Sequence, residues 1–264
     1  MSDLHQMTAN ELEEWYKRYY APNNARLVIV GDVEPEKVYA MSQSLFGDLQ
    51  PGKVPLRKAF PEPPLIGKKT VSVKAPAKLP MLMMGYTVPS VISAKDSWKP
   101  YALVVLSGVL SGGDSARFSK HLIRGAQSAS EAEAYYSPFS RYATQFIFVG
   151  TPSTKEGLAT MEKDMLQEIS RIRSEKISDA ELARVKQQLI AQKVFEKDSI
   201  FGQAMEIGLL ETVGAGWRTG DRFAEKVRAV TAEQVLAVAK EYFVDERLTR
   251  AELIPLAANE RKPS

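Results

Sequence analysis

One short pattern stands near both ends of this 264-residue chain and frames any fold the chain adopts. Met7-Thr8-Ala9-Asn10-Glu11-Leu12 opens a segment that continues through Trp15, Tyr16, Lys17, Tyr19 and Tyr20. Val230-Thr231-Ala232-Glu233-Gln234-Val235 opens another through Val238, Lys240, Tyr242 and Phe243. At a constant offset of 223 residues, Thr, Ala, Lys and the first Tyr coincide. Thr8 with Glu11, and Thr231 with Gln234, predict capping boxes; Met7 and Val230 can staple onto Leu12 and Val235. An apolar run follows each helix, Leu27-Val28-Ile29-Val30 in the first case and 248–256 in the second. Box, aromatic-ended helix, polar loop and apolar strand, repeated in order, read as internal duplication. Measured back from Thr231, Thr8 falls near the end of a first copy. The chain is therefore expected to hold the tail of one copy and all of the next.

Charge and hydropathy exclude several partners. The 35 basic and 32 acidic residues are spread along the chain, giving a net +3 without a Lys/Arg block, so no nucleic acid is expected. No apolar run approaches the roughly 20 residues of a membrane span, and no basic-then-apolar leader opens the sequence. Without cysteine, neither disulfides nor thiolate chemistry arise.

Along the chain, a helix is predicted over 8–20, a strand over Arg26 to Gly31 and an amphipathic helix over Glu34 to Phe46. Five prolines and two glycines between Gln50 and Lys68 mark a linker. The division is 1–50 as the remnant of a preceding domain, 51–68 as linker and 69–264 as a complete domain. That domain is predicted to begin with strands over Thr70 to Lys74 and Met81 to Val88. A helix capped by Asp96 or Ser97 follows, broken at Ser111-Gly112-Gly113-Asp114, then a shorter one capped by Ser115. Strands over Ala129 to Tyr136 and Ala143 to Gly150 lead to helices starting at Ser153 and Ser178. Helices over Ser199 to Val213 and Arg222 to Val230, the repeat helix and a last strand complete it. Two strand pairs, a run of helices and one late strand point to the α+β class: an antiparallel sheet with helices packed on one face.

Tyr19-Tyr20-Ala21-Pro22-Asn23-Asn24-Ala25, followed by Leu27 to Val30 and Gly31-Asp32-Val33, resembles the end of the catalytic domain in pitrilysin/insulinase-type (inverzincin) zinc metallopeptidases. Leu110-Ser111-Gly112-Gly113-Asp114-Ser115-Ala116-Arg117-Phe118 is similar to the Gly-Gly-x-x-Ser-x-Arg-Leu segment of their second half. Ala180-Glu181-Leu182-Ala183-Arg184-Val185-Lys186, and Ile207-Gly208 with Glu211-Thr212, resemble bacterial members; the likeness covers nearly the whole chain. It implies two homologous halves of metallopeptidase (LuxS/MPP-like) architecture, closing like a clamshell around an unfolded peptide. It also implies zinc held in the first half by a His-x-x-Glu-His helix and a downstream Glu, with a Glu activating water.

This chain has no His-x-x-Glu-His. Its histidines, His5 and His121, are far apart in sequence with no pattern around them, so no metal ligand is assigned and zinc is expected only in a catalytic half. The resemblance further implies an Arg and a Tyr from the second half that hold the substrate carbonyl, where a donor meets the developing oxyanion. Arg124 sits in the region of that Arg, but Glu131 stands where the Tyr belongs. Arg124 with Tyr135 or Tyr136 is the candidate substrate-binding set; the alternative is an exposed helix-end Arg favoured by the helix dipole. Gly113-Asp114-Ser115-Ala116-Arg117 begins like a nucleophile elbow but closes on Arg, so Ser115 reads as an N-cap. Gly112-Gly113 lacks the Gly-Lys-Ser/Thr of a phosphate loop. No catalytic residue is assigned.

The expectation is a non-catalytic, substrate-clamping half of such a peptidase, inactive and zinc-free as this chain alone. The alternative is a structural or assembly subunit, or a peptide-binding scaffold. Expected partners are a catalytic half or subunit with His-x-x-Glu-His, a peptide substrate, and a second copy through residues 1–50, where a helix and strand without their sheet invite pairing. The resemblance and the absence of cysteine lean towards a bacterial periplasm over the cytoplasm.

Overall fold

The computed structural model describes residues 2–56 and 67–256; the middle of the expected linker, 57–66, lies outside the described residues. Helices α1 (Ser2–Gln6), α2 (Ala9–Tyr19) and α3 (Pro35–Phe46) come first. Then follow β1 (Lys69–Ala75), β2 (Met81–Val88), α4 (Lys99–Ser111), a π-helical turn (Ser119–Gly125), β3 (Ala129–Tyr135) and β4 (Thr144–Pro152). Helices α5 (Leu158–Ser174), α6 (Asp179–Glu196), α7 (Ile200–Val213), α8 (Arg218–Asp221), α9 (Phe223–Ala229) and α10 (Ala232–Tyr242) lead to β5 (Leu248–Pro255).

Both capping boxes form. Thr8 Oγ1 accepts from the Glu11 amide at 3.3 Å while the Thr8 amide donates to Glu11 Oε2 at 2.8 Å. Thr231 Oγ1 accepts from the Gln234 amide at 3.2 Å, and the Thr231 amide donates to Gln234 Oε1 at 3.0 Å. Their surroundings differ. Helix α10 buries Ala232, Val235, Val238, Ala239 and Tyr242, whereas α2 buries nothing. Leu12, Trp15 and Tyr16, the residues in the same register, are 55%, 54% and 55% exposed. Val230 and Val235 are buried as a staple requires, while Met7 and Leu12 lie open.

Residues 25–30 form no ladder, so the expected strand over Arg26 to Gly31 is absent. Apolar alternation alone does not make a strand; a partner must satisfy its main chain, and no described strand runs beside this one. Ser178 caps α6 through the Glu181 amide at 3.2 Å. Asp96, Ser97 and Ser153 do not cap: α4 starts after Trp98 and α5 after Gly157, without side-chain caps. Ser115 likewise precedes the π-helical turn without capping it.

The sheet order is β1-β5-β2-β4-β3. Antiparallel pairing holds for β5–β2, β2–β4 and β4–β3, but β1 runs parallel to β5, so the sheet is mixed rather than antiparallel throughout. The reason is topological. Strands β1 and β2 run in opposite directions, and the last strand inserts between them, so it must be parallel to one. Alternation along β2, β4 and β3 puts Leu82, Met84, Tyr86, Phe146, Phe148, Ala132 and Ala134 on one buried face. There Tyr86, Phe118, Phe146, Phe148 and Phe243 form the aromatic centre, with Phe146 and Phe243 centroids 4.9 Å apart at 65°. Helices α4, α5 and α10 cover this face.

Candidate functional site

The other face of the sheet carries no helix among the described residues. Register puts Val71 and Val73 beside Ala251 and Leu253, then Met83 beside Ala251 and Val149, and Ile147 beside Tyr135. Val71 and Val73 are 48% and 50% exposed, Met83 38% and Tyr135 53%. The middle of this open face is apolar, with Lys69 at one border and Glu131 and Glu133 at the other.

The two edges of the sheet differ. At β3, Ala134 turns its main chain outward onto α4: Ser107 Oγ and Ser111 Oγ donate to its carbonyl at 2.7 and 3.0 Å, and its amide donates to Ser111 Oγ at 3.0 Å. At Ala134 that edge is covered by side chains. Two serines one turn apart on an otherwise apolar helix were the available sequence signal, and sequence reasoning missed it. At β1, residues 69–74 are exposed throughout. Behind β1, Ser72 Oγ donates to Glu252 at 2.5 Å, and Arg250 bridges Glu252 and Glu162. The Ser72 hydroxyl first, and the Arg250 guanidinium second, hold the Glu252 carboxyl below its ordinary range.

The three candidate substrate-binding residues are not gathered into one site. Arg124, in the last turn of the π-helical segment, donates to the Asp114 carbonyl and so ties that turn to the Gly-Gly loop. Tyr135 ends β3 on the open face. Tyr136 lies on the helix side, stacked on Phe146 at 6.0 Å and 13°, its hydroxyl donating to the Pro89 carbonyl at 2.6 Å. Burial pushes the Tyr136 phenol far up. No hydrogen bond or ring contact joins Arg124 to either tyrosine among the described residues.

Arg117, within the Gly-Gly segment, forms a bidentate pair with Glu181 at 3.0 and 2.8 Å, which fixes this loop to α6 and raises the guanidinium pKa. His121, which no sequence pattern marks, faces the buried Glu168 of α5: its Nδ1 lies 2.9 Å from Oε1, and Arg171 shares that oxygen at 2.5 Å. His5 is exposed on α1. Among the described residues no three His, Asp or Glu side chains converge on a point a metal would occupy, so the donor set does not fit zinc. No described helix is long and apolar enough to cross a membrane.

A second apolar surface lies in the N-terminal part. Trp15, Tyr19, Tyr20, Leu27, Phe46 and Leu49 line a groove of about 1220 Å³ between α2 and α3. Asn23 closes its rim through paired bonds with the Gly52 main chain, at 3.0 and 2.9 Å.

Comparison with known proteins gives a consistent set of likenesses. The family model described as peptidase M16 inactive domain matches residues 6–189. The zinc protease PqqE of Helicobacter pylori is 27% identical over 265 residues, 97% of this chain and 57% of that protein. A protease crystal structure from Helicobacter pylori superimposes with a TM-score of 0.83 at 24% identity, covering 97% of this chain and 61% of that one. A peptidase M16 inactive domain from Pseudomonas fluorescens gives 0.77 at 16% identity, over 97% and 59%. The chain thus spans about three fifths of the length of these relatives.

Proposed function

The chain belongs to the family of inactive peptidase M16 domains, and from that premise we propose that it is the substrate-clamping half of a zinc metalloendopeptidase. The observation that carries this reading is the uncovered sheet face, apolar in its middle and walled behind by α4, α5 and α10. An extended peptide laid on that face is shielded from water only when a second unit closes over it, which is what a clamping half does. Zinc and the attacking water belong to that second unit, a half or subunit with a His-x-x-Glu-His helix. Tyr135 is the residue of the candidate set that stands on this face; Arg124 is tied to the Asp114 carbonyl and the Tyr136 hydroxyl to Pro89.

Docking to the second unit uses residues 1–50. Helix α2 presents Leu12, Trp15, Tyr16 and Tyr19 in the register that α10 buries, and large exposed apolar patches of this kind mark interaction surfaces. The same patch, left without the catalytic half, pairs two copies of the chain.

A scaffold role is the second reading, favoured by Glu131 standing where the family's Tyr belongs. One experiment separates the two. The chain is mixed with a catalytic half carrying the zinc helix, and hydrolysis of an internally quenched peptide is followed. Clamping requires activity that depends on both components; full activity of the catalytic half alone, with the two still co-eluting, establishes the scaffold.

A further inference from the structure

Strand β1 is the sheet edge that stays exposed along residues 69–74, whereas Ser107 and Ser111 cover β3 at Ala134. An exposed edge presents unpaired main-chain groups to any extended chain, and proteins usually guard such edges with lysine. The guard here is one-sided. Lys68, Lys69, Lys74 and Lys78 fall within 67–80, a stretch without a single Asp or Glu, and none has an ion-pair partner among the described residues. Between them Val71 and Val73 stay half-exposed on the open face.

These features select what can pair with β1. A second copy is disfavoured: two-fold antiparallel β1–β1 pairing centred on Val71 sets Lys68 opposite Lys74, and like charges directly opposite destabilise a ladder. A basic peptide meets the same repulsion. An acidic one does not. We propose that β1 is a docking strand for an extended acidic peptide, which adds to the sheet by main-chain hydrogen bonds and sets carboxylates against Lys69 and Lys74. Those lysines lie five positions apart and on opposite faces, so the peptide carries acids at its two ends. Its apolar residues lie over the open face, beside Val71 and Val73. Main-chain pairing supplies the binding and the charges select the sequence, as in other strand-addition modes. The inference deepens the substrate-clamping reading, on which it rests, by naming a peptide class and the edge that takes it.

The test uses the chain itself and blocked hexapeptides. Glu-Thr-Val-Thr-Val-Glu and its reversed sequence serve parallel and antiparallel pairing; versions with Lys in place of Glu are the controls. Binding is read by isothermal titration, and its place by amide hydrogen exchange. The expected result is protection confined to β1 and about tenfold weaker binding of the Lys-ended peptides. In the double variant Lys69→Glu, Lys74→Glu the preference inverts, with the circular dichroism spectrum unchanged. Four outcomes overturn the proposal: protection on β3, binding indifferent to charge, a preference that survives the double variant, or no binding by either set, in which case the lysines only deter aggregation. Failure here leaves the two-component hydrolysis assay free to succeed, so the two readings fall separately.

Discussion

Tyr136 donates its hydroxyl to the Pro89 carbonyl at 2.6 Å while its neighbour Tyr135 stands on the other face of the sheet. The adjacent tyrosines therefore answer mutation differently. Tyr136→Phe removes a buried hydrogen bond and lowers unfolding free energy by about 1 kcal/mol, without changing peptide affinity. Tyr135→Ala slows hydrolysis of the quenched peptide in the two-component assay and leaves the urea midpoint nearly unmoved. Urea titration and the two-component hydrolysis assay on both variants check this; equal stability losses would show that Tyr135 is structural too.

The two threonine caps have the same chemistry and unequal reach. Thr231→Ala removes the cap of a helix that buries five side chains, and is expected to lower global stability by about 1 kcal/mol. Thr8→Ala frays α2, seen as faster amide exchange over 9–12, but leaves the global midpoint in place because α2 buries nothing. A midpoint shift common to both variants would place α2 within the cooperative unit.

Acid acts on the β1–β5 junction through Glu252. Its folded pKa is depressed, chiefly by the Ser72 hydroxyl and next by Arg250, so its stabilising contribution is present above the unfolded carboxylate value of about 4.3. The contribution is lost as pH falls through the lower folded value. Amide exchange of β1, corrected for intrinsic rates, is expected to accelerate below about pH 4. Glu252→Gln should flatten that acid limb; an unchanged limb would assign it to other carboxylates.

Metal content is a direct check on the division of labour. Elemental analysis of the purified chain is expected to give far less than one zinc per chain, and chelation should not move its thermal midpoint. Stoichiometric zinc would refute this, because its ligands would have to be found outside the described residues or between chains.

Local rules were read well from the sequence and pairing rules were not. The boxes at Thr8 and Thr231, the Ser178 cap and the strands containing Val71 and Phe148 depend on residues within a few positions, and they form. The parallel β1–β5 pair depends on a strand 180 positions away and left no local mark. Leu27 to Val30 carries strand-like apolarity without a ladder partner, so propensity there outran structure. The same distance hid His121, whose partner Glu168 lies on another helix, and Tyr136, whose hydrogen bond crosses to Pro89. Arg124 was correctly placed at a helix end, but its bond to Asp114 required the fold of the Gly-Gly loop.

The insertion of β5 between β1 and β2 has a consequence for how the polypeptide is made. Until Leu248–Pro255 emerges, β1 has no neighbour, and β2 can pair only with β4. A nascent chain therefore waits, through the synthesis of α4 to α10, with two strands that cannot join. Such late, long-range closure slows folding and exposes unfinished edges to the wrong partners. Ending translation just before Leu248 does not trim the domain; it leaves β1 adrift and the sheet in two pieces.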